Sequence, residues 1–70
     1  MTKFKDIPSE FINEISFILG SIEMCNDEHV MPILARHGYE IEDGSFLGIE
    51  PEDDEALAID IYETLFRGEE

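Results

Sequence analysis

Apolar residues recur at three-and-four spacing in two stretches of the chain, and this period predicts two amphipathic helices. The first helix begins at Pro8 and carries an apolar stripe made of Phe11, Ile12, Ile15, Ile18, Leu19 and Ile22. The last helix spans residues 50–67 and carries a broader apolar arc made of Leu57, Ala58, Ile61, Tyr62, Leu65 and Phe66. Pro51 suits a first helical position, and Gly68 is a normal helical stop. We expect these two helices to pack against each other.

A second apolar row lies on another side of the first predicted helix and consists of Phe17, Gly20 and Met24. Glycine in a helix interior costs up to about 1 kcal/mol relative to alanine, so Gly20 indicates that something packs closely there. One interpretation is a neighbouring helix of the same chain. The alternative is that the row forms a homodimer seam or a partner-docking face.

A short second helix is predicted between these two. Asn26 and Asp27 are good helix caps and separate it from the first helix. Because proline is tolerated only near a helix start, either the helix begins at Pro32 after a loose turn or Pro32 lies in a distorted first turn. Gly38 ends the helix, with Tyr39 placed to pack back on Leu34.

Residues 39–50 change to a two-residue period. Apolar and acidic residues alternate over 39–42, and Asp43-Gly44 is a strong turn signal, so a short β-hairpin is the natural interpretation. An irregular loop is the alternative, because a two-stranded hairpin needs helices to cover it and Gly48 weakens its second strand.

Length and composition favour one folded domain over residues 1–70. A chain of 70 residues allows one modest core, because a chain this short buries only about 60% of its unfolded surface. With 43% hydrophobic residues the chain is globular and not disordered. We predict a mainly α-helical domain with a long first helix, a short second helix, a hairpin or loop and a third helix; a hairpin would make it a small α+β domain.

The charge is strongly one-sided, with a net value of −14. Residues 1–36 hold three basic and six acidic residues (−3), whereas residues 37–70 hold one basic and twelve acidic residues (−11). Such a field repels nucleic acid and anionic membrane and attracts basic protein surfaces. The alternative is that the acidic residues serve solubility alone.

Motifs for metal binding fail at their essential positions. With Gly44 at the sixth place of a calcium loop, the first and third places fall on Tyr39 and Ile41, where the loop needs oxygen ligands. Adjacent acids at the start of the last helix do not form a convergent cage. We therefore predict no specific metal site and no cofactor.

The sequence also argues against catalysis. Cys25 and His29 are four residues apart, which would suit a nucleophile and its base, but the helix is expected to break at Asn26. A structural cysteine beside a cap histidine is the preferred interpretation. No glycine-rich phosphate loop or nucleophile elbow is present. We predict that the protein is not an enzyme and has no catalytic residue.

The acidic residues themselves are the candidate binding site. On the last helix, the arc left free by apolar residues holds Glu52, Asp53, Asp60 and Glu63. The adjoining loop adds Glu40, Glu42, Asp43 and Glu50. Carboxylates on neighbouring helical turns lie about 5–6 Å apart, which is close to the spacing of phosphates along a strand. The pattern predicts a nucleic-acid mimic that occupies the basic groove of a nucleic-acid-handling protein and inhibits or sequesters it.

In size and charge the chain resembles, in a general way, phage or plasmid inhibitors of host enzymes and immunity proteins of nuclease toxins. The resemblance rests on no motif, and no residue role follows from it. A small adaptor or self-associating module that uses Phe17, Gly20 and Met24 is the alternative function. The single cysteine, Cys25, cannot form an internal disulfide, and no apolar run approaches the length of a membrane span, so we expect a cytoplasmic protein.

Overall fold

The computed structural model of the protein describes residues 3–66. This part of the chain forms the α-helices α1 (Ser9–Leu19), α2 (Ile22–Cys25), α3 (Met31–Arg36) and α4 (Glu55–Ile61). Short 3-10 turns lie at Phe4–Asp6 and Pro51–Asp53, and a π-helical segment, Tyr62–Phe66, continues directly from α4. None of residues 3–66 is in a β-strand. The predicted mainly α-helical fold class is therefore confirmed.

Helix α1 is shorter than the apolar stripe predicts. It follows Pro8 and ends at Leu19, and Gly20 is its C-terminal cap. Ser21 then adopts an extended conformation, and its Oγ accepts a 3.4 Å hydrogen bond from the Met24 amide at the start of α2. Because Ser21 is extended and acts as the N-cap of α2, the chain changes direction there and α1 and α2 are separate helices.

The interpretation that a neighbouring helix of the same chain packs closely on Gly20 is wrong. A Cβ placed at this glycine would meet only the carbonyl oxygens of Ser16 and Phe17, at 3.3 and 4.0 Å, and both belong to the preceding turn of α1. Gly20 itself is exposed. Within this chain it therefore marks the end of a helix, and Phe17, Gly20 and Met24 do not share one continuous helix.

Helix α3 resolves the alternatives for Pro32. Residues 27–30 form a turn in which the Asp27 carboxylate accepts a 2.7 Å hydrogen bond from the His29 amide. The helix then begins at Met31, with Pro32 in its first turn. Proline is tolerated there because first-turn amides have no partner within the helix.

The loop alternative for residues 39–50 is confirmed, and the hairpin is wrong for these residues. They contain one turn, in which the Ser45 amide donates to the Glu42 carbonyl at 3.0 Å. The loop is held by groups outside it: the Asn26 side-chain amide donates to the Ser45 carbonyl at 2.6 Å, and the Gly48 amide donates to the Leu19 carbonyl at 3.0 Å. Helix ends thus supply the partners that a second strand would have supplied.

The continuous last helix predicted from residue 50 is also wrong. Residues Pro51–Asp53 form a 3-10 turn, and Asp54 follows with φ −145° and ψ 84°. Its carboxylate accepts a 3.1 Å hydrogen bond from the Leu57 amide and so caps α4. Four adjacent acidic residues look alike in sequence, but one of them interrupts the helix. The predicted stop at Arg67 and Gly68 lies outside the described residues.

One hydrophobic core joins these elements. Its buried members are Ile15, Ile18, Leu19, Val30, Ile33, Leu34, Leu57, Ala58 and Ile61. The Phe11 ring contacts the rings of Tyr62 and Phe66, with centroids 5.4 and 5.2 Å away, which confirms that the last helical segment packs against α1. Among residues 3–66, no helix combines the length and apolar character required to span a bilayer.

Candidate functional site

Acidic residues dominate the second half of the chain. Residues 37–66, here called the acidic segment, contain ten acidic residues and no lysine or arginine. Eight of them are exposed: Glu40, Glu42, Asp43, Glu50, Glu52, Asp53, Glu55 and Glu63. The other two, Asp54 and Asp60, are half-buried. The segment therefore presents its charge to solvent.

The loop acids Glu40, Glu42 and Asp43 point away from the core, in contrast to the apolar residues between and beside them. Ile41 and Leu47 pack against the core, whereas the three carboxylates are exposed. Within residues 3–66 these side chains form no hydrogen bond or ion pair. They are available to an external cation.

Glu50 and Asp53 are held in place by each other. The Glu50 side chain accepts a hydrogen bond from the Asp53 amide, and Asp53 Oδ2 accepts one from the Glu50 amide at 3.3 Å. Ser16 Oγ of α1 also donates to Glu50 Oε2 at 3.3 Å. This reciprocal arrangement is a capping box, and it fixes the 3-10 turn against α1. Glu52, between the two, is exposed.

Asp60 has partners within the chain that the sequence did not predict. Its carboxylate accepts hydrogen bonds from Arg36 Nη2 at 2.9 Å and Arg36 Nε at 3.2 Å, and it contacts His37 Nε2 at 2.8 Å. Thr64 Oγ1 also donates to it, at 3.1 Å. Partial burial alone would raise the pKa of Asp60, but the bonds from Arg36, His37 and Thr64 outweigh it, and the pKa is lowered. Asp60 joins α3 to α4, and its carboxylate is paired with Arg36 and His37 of the same chain.

Asp54 is a structurally important acid that sequence reasoning missed. Besides capping α4, its carboxylate accepts a 2.5 Å hydrogen bond from the Tyr39 hydroxyl. The Tyr39 hydrogen bond and the Leu57 amide lower the pKa of Asp54, against the effect of burial. The same hydrogen bond, burial and the nearby charges of Asp54 and Asp53 raise the pKa of Tyr39. The available signal was that an aspartate three residues before Leu57 suits an N-cap.

The side chains that could serve in catalysis or metal binding do not meet in one site. Cys25 is fully buried, and its thiol donates to the Ile18 carbonyl at 3.1 Å. The His29 side chain is 73% exposed and lies 3.6 Å from the Glu28 carboxylate. Cys25 and His29 therefore do not form a nucleophile–base pair. The described residues contain no cluster of three or more side chains that could hold a metal ion.

No family model, characterised protein or solved structure matches this chain.

The apolar surface differs from the predicted row. Phe17 is 63% exposed and Gly20 is exposed, but Met24 is half-buried against the core. Two further apolar side chains are exposed, Ile22 at 48% and Phe46 at 50%. All of them lie at the junction of α1 with α2 or on the loop bound to that junction.

The chemistry open to this surface is ionic recognition. Carboxylates accept hydrogen bonds from lysine and arginine, and arginine pairs with them in a bidentate manner. Arg36 is the only arginine or lysine in residues 6–66, and it is already bound to Asp60. Its hydrogen bonds go to Asp60 and not to the exposed loop carboxylates of Glu40, Glu42 and Asp43.

Proposed function

We propose that this protein binds a basic, nucleic-acid-handling protein and inhibits or sequesters it by covering its nucleic-acid groove. The observation that carries the proposal is the exposure of eight carboxylates within thirty residues that contain no lysine or arginine. A field of one sign raises the rate of association with a partner of opposite sign and excludes nucleic acid from the same surface.

The carboxylates differ in what they contribute. Four exposed carboxylates form no hydrogen bond or ion pair with a described residue: those of Glu40, Glu42, Asp43 and Glu52. Glu50 and Asp53 add charge at positions fixed by their capping box. Glu63 is exposed on the π-helical segment. Asp60 acts mainly by joining α3 to α4, so its part in binding is to position the surface.

The test compares two variants with the same net charge. In the first, Glu40, Glu42 and Glu52 are changed to Gln and Asp43 to Asn. In the control, four exposed acids of the first half are neutralised: Asp6→Asn, Glu10→Gln, Glu14→Gln and Glu23→Gln. Each protein competes with a labelled oligonucleotide for purified basic nucleases and other basic nucleic-acid-binding proteins. We expect the wild type and the control to displace the oligonucleotide and the first variant to bind at least about tenfold more weakly with a flatter salt dependence.

Equal displacement by both variants would show that the position of the charge is irrelevant. Binding that ignores ionic strength would contradict the ionic mechanism. Circular dichroism of both variants checks that helix content is unchanged.

A self-associating or adaptor module is the second candidate. It is favoured by the exposure of Phe17, Ile22 and Phe46, because large apolar side chains exposed on a protein this small can supply a contact with another molecule. The contact would involve the α1–α2 junction and not one continuous helix. We also propose a cytoplasmic location, because the single cysteine cannot form an internal disulfide.

A further inference from the structure

An apolar groove lies between α3 and the start of the loop formed by residues 39–50. It has a volume of 260 Å³ and is lined by Met31, Leu34, Ala35, Tyr39, Glu40 and Ile41. A cavity of about 150 Å³ is enough for benzene. The groove is thus large enough for one aromatic or branched aliphatic side chain.

The surroundings of the groove are negative. Glu40 is part of its lining, and the exposed Glu42 follows Ile41. At its Tyr39 side, the hydroxyl is bonded to Asp54 and lies near Asp53. The basic residue next to Ala35 is Arg36, but both of its hydrogen-bonding nitrogens face Asp60. An apolar floor is therefore combined with nearby carboxylates, of which those of Glu40 and Glu42 form no hydrogen bond or ion pair within residues 3–66.

The apolar floor and the nearby carboxylates together indicate which kind of molecule could bind in the groove. A second copy of this chain would bring the same carboxylates and a net charge of −14, so repulsion opposes it. A nucleic acid would be repelled in the same way. A segment with lysine or arginine beside an apolar side chain would satisfy both parts of the site.

We propose that this groove binds an apolar side chain of a basic partner segment, while neighbouring lysine or arginine residues of that segment contact the surrounding carboxylates. The inference rests on the proposed function and adds the partner's anchor to it. Ionic contacts bring the partner to the acidic segment, and the groove holds one large side chain in place.

The test uses two synthetic peptides as probes. One has a tryptophan flanked by lysines, and the other has the same lysines with serine in place of the tryptophan. Burying one large apolar side chain predicts that the tryptophan peptide binds at least about tenfold more tightly. Fluorescence anisotropy of labelled peptides at low salt measures this ratio. Amide NMR shifts should locate the difference at Ala35, Tyr39 and Ile41.

Two matched variants connect the preference to the groove. Ala35→Phe fills the groove from α3, and Ala56→Phe makes the same change at an exposed position of α4. Both alanines are exposed, so the fold should accept both changes, and circular dichroism checks this. We expect Ala35→Phe to lower the affinity for the tryptophan peptide to that for the serine peptide, whereas Ala56→Phe keeps the wild-type ratio.

Equal binding of the two peptides, binding of neither, or a folded Ala35→Phe protein with the wild-type ratio would overturn the groove inference. A dimer that Ala35→Phe dissociates would also overturn it, because the occupant would then be a second copy. The proposed function is judged separately: it survives if the four-acid variant alone loses competition with the oligonucleotide. It fails if that variant competes normally, whatever the peptides do.

Discussion

Glu52 and Asp60 have the same charge but different surroundings. Glu52 is exposed in the 3-10 turn, whereas Asp60 accepts bonds from Arg36, His37 and Thr64. A carboxylate with several donors around it contributes to stability because it has exchanged water for fixed partners. One that lacks partners in the chain is available to another molecule. The role of each acid is thus decided by the donors that the fold brings to it.

Asp60→Asn should lower the free energy of unfolding by about 1–2 kcal/mol at neutral pH, because donors of α3 lose their charged acceptor. Its pKa in the folded state lies below the ordinary value of 3.8. The stabilising contribution is therefore present above that value and is lost as pH falls through the lowered pKa. The difference between wild type and Asp60→Asn should shrink over that acidic range. Urea unfolding at a series of pH values measures it.

Glu52→Gln is the control for Asp60→Asn, since it removes the same charge from an exposed side chain. It should leave stability within about 0.5 kcal/mol of the wild type. Equal effects of the two substitutions would mean that Asp60 acts only through net charge. A pH-independent difference would contradict the link to its ionisation.

At the scale of elements, the short helices of this protein depend on how they end. Helix α3 stops where Gly38 adopts a φ of 86°. The Gly38 amide then donates to the Ala35 carbonyl at 3.1 Å, and the Tyr39 amide donates to the Leu34 carbonyl at 3.0 Å. This pair of bonds is a Schellman motif. It turns Tyr39 toward Asp54 and so positions the wall of the groove.

Gly38→Ala should destabilise the fold by about 1–2 kcal/mol, because an L-residue with a Cβ is strained in the left-handed region. Gly38→Asn should cost less, since asparagine tolerates this conformation better. Thermal or urea unfolding gives both values. If alanine and asparagine behave like glycine, the helix does not end in this motif in solution.

For the whole molecule, the net charge of −14 opposes self-association, whereas the exposed Phe17, Ile22 and Phe46 favour it. Self-repulsion is strong at low ionic strength, because the Debye length is about 30 Å at 0.01 M salt and about 8 Å at 0.15 M. An apolar contact can therefore compete with charge only when salt screens it. The two candidate functions differ in which of these terms controls the molecule.

Sedimentation at these two salt concentrations separates them. We expect a monomer at both salt concentrations, because the proposed function requires contacts with a basic partner and none between two copies of this chain. The second candidate predicts a dimer, most stable at the higher salt, that Phe17→Asp dissociates. Glu14→Gln, on the exposed part of α1, serves as a control that changes charge without removing an apolar contact. A dimer that survives Phe17→Asp would contradict the contact assigned to this side chain.

Much of the fold was predictable because it follows from local chemistry. The three-and-four spacing identified core residues such as Ile15, Ile18 and Leu57. Gly38 and Tyr39 indicated the end of α3 before any contact was known, since the motif is formed by residues close in sequence. For Gly20 the sequence alone did not distinguish the end of a helix from close packing against a helix of the same chain, because the path of the chain decides between these two uses.

By itself, the sequence determined the helical class, the apolar core and the concentration of negative charge in the second half, because these follow from composition and period. The tertiary structure decided which carboxylates have hydrogen-bonding partners within the chain and which remain exposed. Asp54 meets Tyr39, and Asp60 meets Arg36 and His37, across separations of 15 to 24 residues. Pairing at that distance depends on how helices are packed, and packing is set by the whole core and not by the residues adjacent to each acid.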